Sequence, residues 1–216
     1  MSLIGGFPVI LSAPSGGGKT TIAKALLARR PDLGYSVSCT TRTPRPSEVE
    51  GRDYYFISRA DFIAERERGA FAESAVVHGN LYGTLRREVE RVIADGKHVV
   101  MDIDVQGAGQ FVKAFPTSVT IFILPPSAEV LLDRLRARKT ESPAQLAARL
   151  QSALQELQQV DEYEYVVVND DLERAVASVG SIIDAETVSR ERVKNLQKQV
   201  GLLIERLEME IENNTP

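Results

Sequence analysis

Four short apolar runs mark out the chain. Residues 9–11, 98–103, 119–124 and 165–168 are rich in Val and Ile and show little polar alternation. Strands of that kind belong to a parallel sheet covered on both faces by helices. The segments between them carry helical spacing and clear end signals. Residues 20–29 read as a helix stopped by Pro31, and Ser58 can cap a second that ends at Gly69. Gly96 stands where a C′ glycine should follow a helix over 84–95. After Pro125 and Pro126, Ser127 opens a segment with Val130, Leu131 and Leu135 on one side. Ser142-Pro143-Ala144-Gln145 is a strong helix start, with a Ser cap, Pro at the first position and Gln at the capping-box position. Leu146, Leu150, Leu154 and Leu157 then form one stripe, expected to face the core.

Residues 35–82 break the alternation. They are turn-rich, with short candidate strands at 35–39, 54–57 and 74–78, more strand than a βαβ crossover requires. The pattern therefore predicts an α/β core over 1–34 and 85–216, carrying an inserted, mostly antiparallel lobe over 35–84. A long helix is expected over about 185–213, where Val193, Leu196, Val200, Leu203 and Leu207 follow spacings of 3 and 4. That seam is too short for a secure coiled coil. An amphipathic helix packed on its own domain is the favoured reading, and an oligomer contact the alternative, so monomer and homo-oligomer both stay open.

Composition narrows the class. The 216 residues are 43% hydrophobic and 26% charged, with a net charge of −4, close to ordinary globular usage. No run approaches the roughly 18 apolar residues of a membrane span, and the first seven residues lack a basic signal-peptide region. Cys39 is the one cysteine, which excludes an internal disulfide and a cysteine-based metal cluster. The expectation is a cytoplasmic protein with no membrane association, whose slight acidity argues against nucleic acid as its partner.

The strongest chemical signal is Ala13-Pro14-Ser15-Gly16-Gly17-Gly18-Lys19-Thr20, followed by Thr21. It matches the phosphate-binding loop with Ala13 in place of the first Gly, between an apolar strand and an amphipathic helix. The glycines let backbone N–H groups fold into an anion-binding nest, to which the helix adds its positive end. Lys19 supplies a point charge to the β/γ phosphates, and the Thr20 hydroxyl can hold Mg²⁺. Asp102 and Asp104 end the 98–103 strand, where open α/β sheets bind ligands, so Asp102 can reach the metal shell indirectly. No Asn-Lys-x-Asp guanine motif of GTPases is present. A second anion site is suggested by Arg42 and Arg45 in a Pro-stiffened loop, since guanidinium forks suit phosphate oxygens.

The ordered set of motifs resembles the guanylate kinases from residue 9 to about 185. It comprises Ser-Ala-Pro-Ser-Gly-Gly-Gly-Lys-Thr at 12–20, Val-Ser-Cys-Thr-Thr-Arg-Thr-Pro-Arg-Pro at 37–46 and Gly-Arg-Asp-Tyr-Tyr-Phe at 51–56. Phe-Ala-Glu at 71–73, Gly-Asn-Leu-Tyr-Gly-Thr at 79–84, Asp-Ile-Asp-Val-Gln-Gly at 102–107 and Val-Asn-Asp-Asp at 168–171 complete it. The resemblance implies a P-loop kinase core whose inserted lobe binds GMP, and transfer of the ATP γ-phosphoryl group to GMP, with dGMP as a further acceptor and Mg²⁺ as cofactor. It implies that Arg42, Arg45, Tyr54 and Tyr82 clamp the GMP phosphate, and that Ser38, Glu73 and Thr84 read guanine with Asp104 nearby. It assigns a helical and loop lid to about 134–150, where Arg134, Arg136, Arg138 and Lys139 precede Arg149. Lys19, Arg42, Arg134, Arg138 and Arg149 are the implied catalytic charges, with Asn169 near the adenine. Ala137 and Lys139 depart from the glycines frequent there in the family.

The role that the resemblance gives Glu73 also makes chemical sense. A carboxylate only accepts, and guanine offers N1–H and N2–H side by side. Adenine has no N1 donor, so a buried Glu would be left unpaired at a cost of about 1–3 kcal/mol. The acceptor phosphate is largely a dianion at neutral pH, with a second pKa of about 6, so no general base is required. A kinase for another small phosphorylated acceptor would lack the Ser38, Glu73 and Thr84 set. A guanylate-kinase-like binding module would carry a degraded phosphate loop.

Overall fold

A computed structural model describes residues 5–46, 48–77, 79–136, 143–193 and 195–214, with backbone only at 143 and 144. In chain order the elements are β1 (Pro8–Ser12), α1 (Lys19–Arg29), β2 (Leu33–Tyr35), β3 (Ser38–Thr40), β4 (Tyr55–Phe56) and α2 (Arg59–Glu67). There follow β5 (Phe71–Val77), β6 (Asn80–Leu85), α3 (Arg86–Ala94), β7 (His98–Asp102), α4 (Val105–Ala114), β8 (Val119–Leu124) and α5 (Ala128–Arg136). The chain continues through α6 (Pro143–Leu157), β9 (Tyr165–Val168), α7 (Leu172–Thr187) and α8 (Leu196–Asn214). No described helix is long and apolar enough to cross a membrane.

The core is a five-stranded parallel sheet in the order β2-β7-β1-β8-β9. The four apolar runs supply four of its strands. Because side chains alternate along a strand, β1 sends Val9 and Leu11 to one face and Ile10 to the other. The first face packs against Ile22 and Leu26 of α1 and Val176, Val179 and Ile183 of α7. The second packs against Val89 and Val92 of α3 and Phe111 of α4. Both faces are thus covered at the sheet centre. At the edge, β9 leaves Val166 and Val168 about half exposed, so its apolar run is not buried on both faces as expected.

The second sheet has the order β4-β3-β6-β5. β3–β6 and β5–β6 are antiparallel and β3–β4 is parallel. Its small core joins Cys39, Leu81 and Leu85 to Phe62 of α2, which stacks on Phe71 at 4.4 Å between ring centres.

Several expectations are corrected. The single strand over 35–39 is two strands in two sheets, because the chain leaves the core sheet after Tyr35 and enters the lobe at Ser38. The helix expected from 84 begins at Arg86, since Thr84 is held in β6 opposite Ser38 and Glu73. Helix α4 was not anticipated, as Gly107 and Gly109 lower the helical propensity of its segment. In α6 the buried line is Arg149 and Ala153, flanked by Leu146 and Leu157, while Leu150 and Leu154 are exposed. The expected leucine stripe is displaced because a charged side chain occupies the inward face. The helix expected over 185–213 is broken: α7 ends at Thr187, Asn195 takes φ 58°, and α8 starts only at Leu196. No described residue of α8 is buried, so it adds nothing to the core of the domain.

Candidate active site

The phosphate loop leaves β1 at the centre of the sheet and turns into α1. Gly16 and Gly18 adopt φ 84° and 97°, a region open to glycine at little cost. Gly18 is constrained twice, because a Cβ there would stand 2.4 Å from Asn169 Nδ2. The Asn169 amide donates to the Gly17 carbonyl at 2.9 Å, so this residue, expected near the adenine, supports the loop from behind. Pro14 to Thr21 line a cavity of about 360 Å³ together with Arg134 and Arg149.

The two lid-segment arginines are tied to the loop. Arg134 donates to the carbonyls of Gly17 at 3.4 Å and Asn169 at 3.3 Å. Arg149, only 6% exposed, donates from Nε to Ser15 Oγ at 3.3 Å and from NH1 to the Leu135 carbonyl at 3.0 Å. Arg136 is exposed and apart from these contacts. Arg138 and Lys139 lie outside the described residues, as do Ala137 and the Ser142 cap.

Across the sheet, the Thr20 hydroxyl donates to Asp102 Oδ2 at 2.6 Å, and Tyr35 donates to Oδ1 at 3.3 Å. β1 and β7 are neighbours in register, Leu11 opposite Asp102, which brings this pair together from 82 residues apart. A hydroxyl beside a carboxylate is a hard oxygen donor set, and Mg²⁺ on a triphosphate needs one or two protein oxygens of this kind. These residues therefore fit the metal.

The lobe brings three of the residues expected to read guanine into one wall. Ser38, Glu73 and Thr84 meet because β6 pairs with both β3 and β5, with Thr84 opposite Ser38 and Glu73. The Thr84 hydroxyl donates to Glu73 Oε1 at 2.6 Å and lies 3.4 Å from Ser38 Oγ. Glu73 is 7% exposed, and burial raises its pKa to about 7 against the opposing pull of Thr84, with the Asp104 charge adding to the rise. Asp104 itself caps α4, accepting from Gly107 N at 2.8 Å. Gly107 is needed for the close approach, since a Cβ there would sit 2.7 Å from Glu73 Oε2.

The arginine loop is already engaged. Arg42 makes a fork-to-fork pair with Glu48, both bonds 2.8 Å, and donates from Nε to Tyr82 OH at 3.1 Å. Its guanidinium lies over Tyr54 at 5.4 Å, and Tyr54 meets Tyr82 edge-on. The pair raises the Arg42 pKa and lowers that of Glu48 to about 2, chiefly through their hydrogen bonds. Glu48 also accepts from the Arg45 backbone N–H at 2.8 Å, leaving the Arg45 side chain exposed. Arg45, Glu48 and Tyr54 line a cleft of about 730 Å³ that reaches Thr20 and Asp102.

Sequence reasoning missed Glu48 and Glu156. Nothing local says which acid near 48–50 returns to Arg42. Glu156 accepts from Ser15 N at 2.7 Å and from Ser152 Oγ at 3.2 Å. It lies two turns after Arg149 on α6, so helical spacing alone could have placed it on the same face as that arginine.

A triphosphate loop on a parallel sheet, facing an arginine-lined lobe across one cleft, is the arrangement of a P-loop kinase. The comparisons with known proteins make the class specific. The guanylate kinase family model matches residues 6–186. A guanylate kinase of Chelativorans sp. is 48% identical over 205 residues, covering 94% of each chain. That of Thermotoga maritima is 46% identical over 202 residues, again covering 94% of each. The crystal structure of guanylate kinase from Anaplasma phagocytophilum superposes with a TM-score of 0.75 at 34% identity, over 91% of this chain and 95% of that one. The chain belongs to the guanylate kinase family.

Proposed function

We infer that this chain is an ATP:GMP phosphotransferase giving ADP and GDP, with dGMP as a second acceptor. The observation that carries the acceptor is Glu73, a buried carboxylate held by Thr84 beside Ser38. In its ionised form it accepts the paired N1–H and N2–H donors of guanine. Arg42, Arg45, Tyr54 and Tyr82 hold the acceptor phosphate, which needs no general base because it is already a dianion near neutral pH.

The phosphate loop, with Lys19, seats the triphosphate through backbone N–H groups and one point charge. Arg134 and Arg149 stand at the rim of the same cavity and neutralise charge spread over the transferring group. Thr20 and Asp102 would hold Mg²⁺, which supplies charge neutralisation at the β and γ oxygens when bound. Catalysis is then positioning plus electrostatics, with the lobe and the lid segment excluding water that would compete for the γ-phosphoryl group.

The test is ADP release from Mg-ATP with GMP, dGMP, AMP or ribose phosphate offered in parallel. Turnover with GMP and dGMP alone is expected. Preference for ribose phosphate or AMP would retain the phosphate loop and overturn the guanine pocket, and no turnover by the folded protein would overturn the enzyme reading.

A further inference from the structure

Helix α8 takes no part in the cleft. It follows a firmly tied turn: Arg192 donates to the Thr117 carbonyl at 2.7 Å and to Glu186 at 3.0 Å, and its guanidinium lies 4.2 Å over the Phe7 ring. Asn195 then turns the chain through left-handed backbone, and the helix leaves the body of the molecule with none of its described residues buried.

Its surface is nonetheless organised. At about 100° per residue, Leu196, Val200, Leu203, Ile204, Leu207 and Ile211 fall within an arc of roughly 100°. Val200, Leu203, Ile204, Leu207 and Ile211 are each 40% exposed or more. A contiguous aliphatic stripe of this length on an anchored helix marks an interaction surface.

The spacing identifies the occupant. If a second α8 is laid antiparallel with its centre between residues 203 and 204, Leu196 faces Ile211, Val200 faces Leu207 and Leu203 faces Ile204. Every stripe residue then meets another stripe residue, the requirement of an isologous two-fold contact. The edges of the stripe agree. Glu208 and Glu210 flank it toward the C-terminus, one on each side, and Gln197 and Gln199 flank it toward the N-terminus. Antiparallel pairing brings Glu208 of one copy beside Gln197 of the other, and Glu210 beside Gln199, so that amide N–H groups donate to carboxylates. Parallel pairing would set Glu208 against Glu210, a like-charge contact.

We propose that the aliphatic stripe of α8 is a homodimer interface in which two copies of this chain pair their terminal helices antiparallel.

Light scattering of the full chain across a wide concentration range is expected to show twice the chain mass. Leu203→Glu should shift it to monomer while far-UV circular dichroism and ADP release stay unchanged, since the residue is exposed and remote from the cleft. Direction is read by disulfides. Mixed Leu196→Cys and Ile211→Cys chains should cross-link, whereas Leu196→Cys alone should not, its copies lying about 22 Å apart, beyond the roughly 7 Å a disulfide spans. A monomer at all concentrations, or a dimer that survives Leu203→Glu, overturns the interface. Ready cross-linking of Leu196→Cys alone overturns the antiparallel arrangement.

Discussion

The two halves of the cleft are built on different principles. The phosphate-loop side is a continuous loop, in which residues 14–21 supply amides, glycines, lysine and hydroxyl from one stretch of chain. The acceptor side gathers Ser38 from β3, Tyr54 beside β4, Glu73 from β5 and Tyr82 and Thr84 from β6. It is also satisfied internally: Glu48 fills the Arg42 fork, and Thr84 occupies one oxygen of Glu73. A phosphate gripped by backbone needs little beyond correct φ angles, whereas a base read by side chains needs a folded wall. The loop is thus contiguous in sequence, braced from outside by Asn169, Arg134, Arg149 and Glu156, whereas the wall of the lobe is assembled from separate strands and held in order by its own partners.

The largest effect should separate the halves most sharply. Lys19→Ala removes the one point charge in the loop, and turnover should fall by roughly 10³-fold. Single-turnover kinetics checks it, and an affinity for GMP weakened to the same degree would break the division into two sites.

Glu73→Gln tests the other half. Replacing the acceptor-only group with an amide should lower kcat/KM for GMP by about 10–100-fold and leave the KM for ATP unchanged. The same variant should be more stable in the absence of nucleotide. Glu73 keeps its proton up to about pH 7 in the folded protein, against a reference value of 4.5. The folded state therefore binds more protons than the unfolded chain between those values, and stability falls as pH rises through them. Above pH 7 the glutamine avoids that cost, so its Tm should exceed that of the parent by several degrees at pH 8 and by much less at pH 5.

The pH profile gives a smaller, more specific effect. Guanine donors require ionised Glu73, so the KM for GMP should rise as pH falls below about 7, by up to about tenfold per unit. In Glu73→Gln this component should vanish, leaving only the titration of the acceptor phosphate. An identical profile in both proteins would show that Glu73 does not touch the base.

Asn169→Ala should have the smallest effect. It deletes the 2.9 Å bond to the Gly17 carbonyl behind the loop, worth about 1 kcal/mol. A rise of about fivefold in the KM for ATP with a nearly unchanged kcat would match a supporting role, measured by initial rates at saturating GMP.

Much of this was legible along the chain. Three of the apolar runs became the central strands and the fourth the edge strand β9, the glycine pattern placed the loop after β1, and Ser58 caps α2 by accepting from Asp61 N at 3.1 Å. Legibility failed where a residue's partner is distant or its segment is ambiguous. The split between β2 and β3 is invisible because residues 35–39 read as one short strand. Arg149 sits on the inward face of α6, where periodicity admits only apolar residues. Glu48 carries no local mark of its bond to Arg42.

By itself, then, the sequence determined the class of sheet and the glycine-rich loop after its first strand, because those rest on local backbone preference and on residue types in order. The tertiary structure alone decided which carboxylate holds Arg42, that burial brings Glu73 to titrate near neutrality, and that the aliphatic stripe of α8 is exposed. Pairings across strands, desolvation and the exposure of a face depend on what surrounds a side chain, and only the folded chain supplies those surroundings.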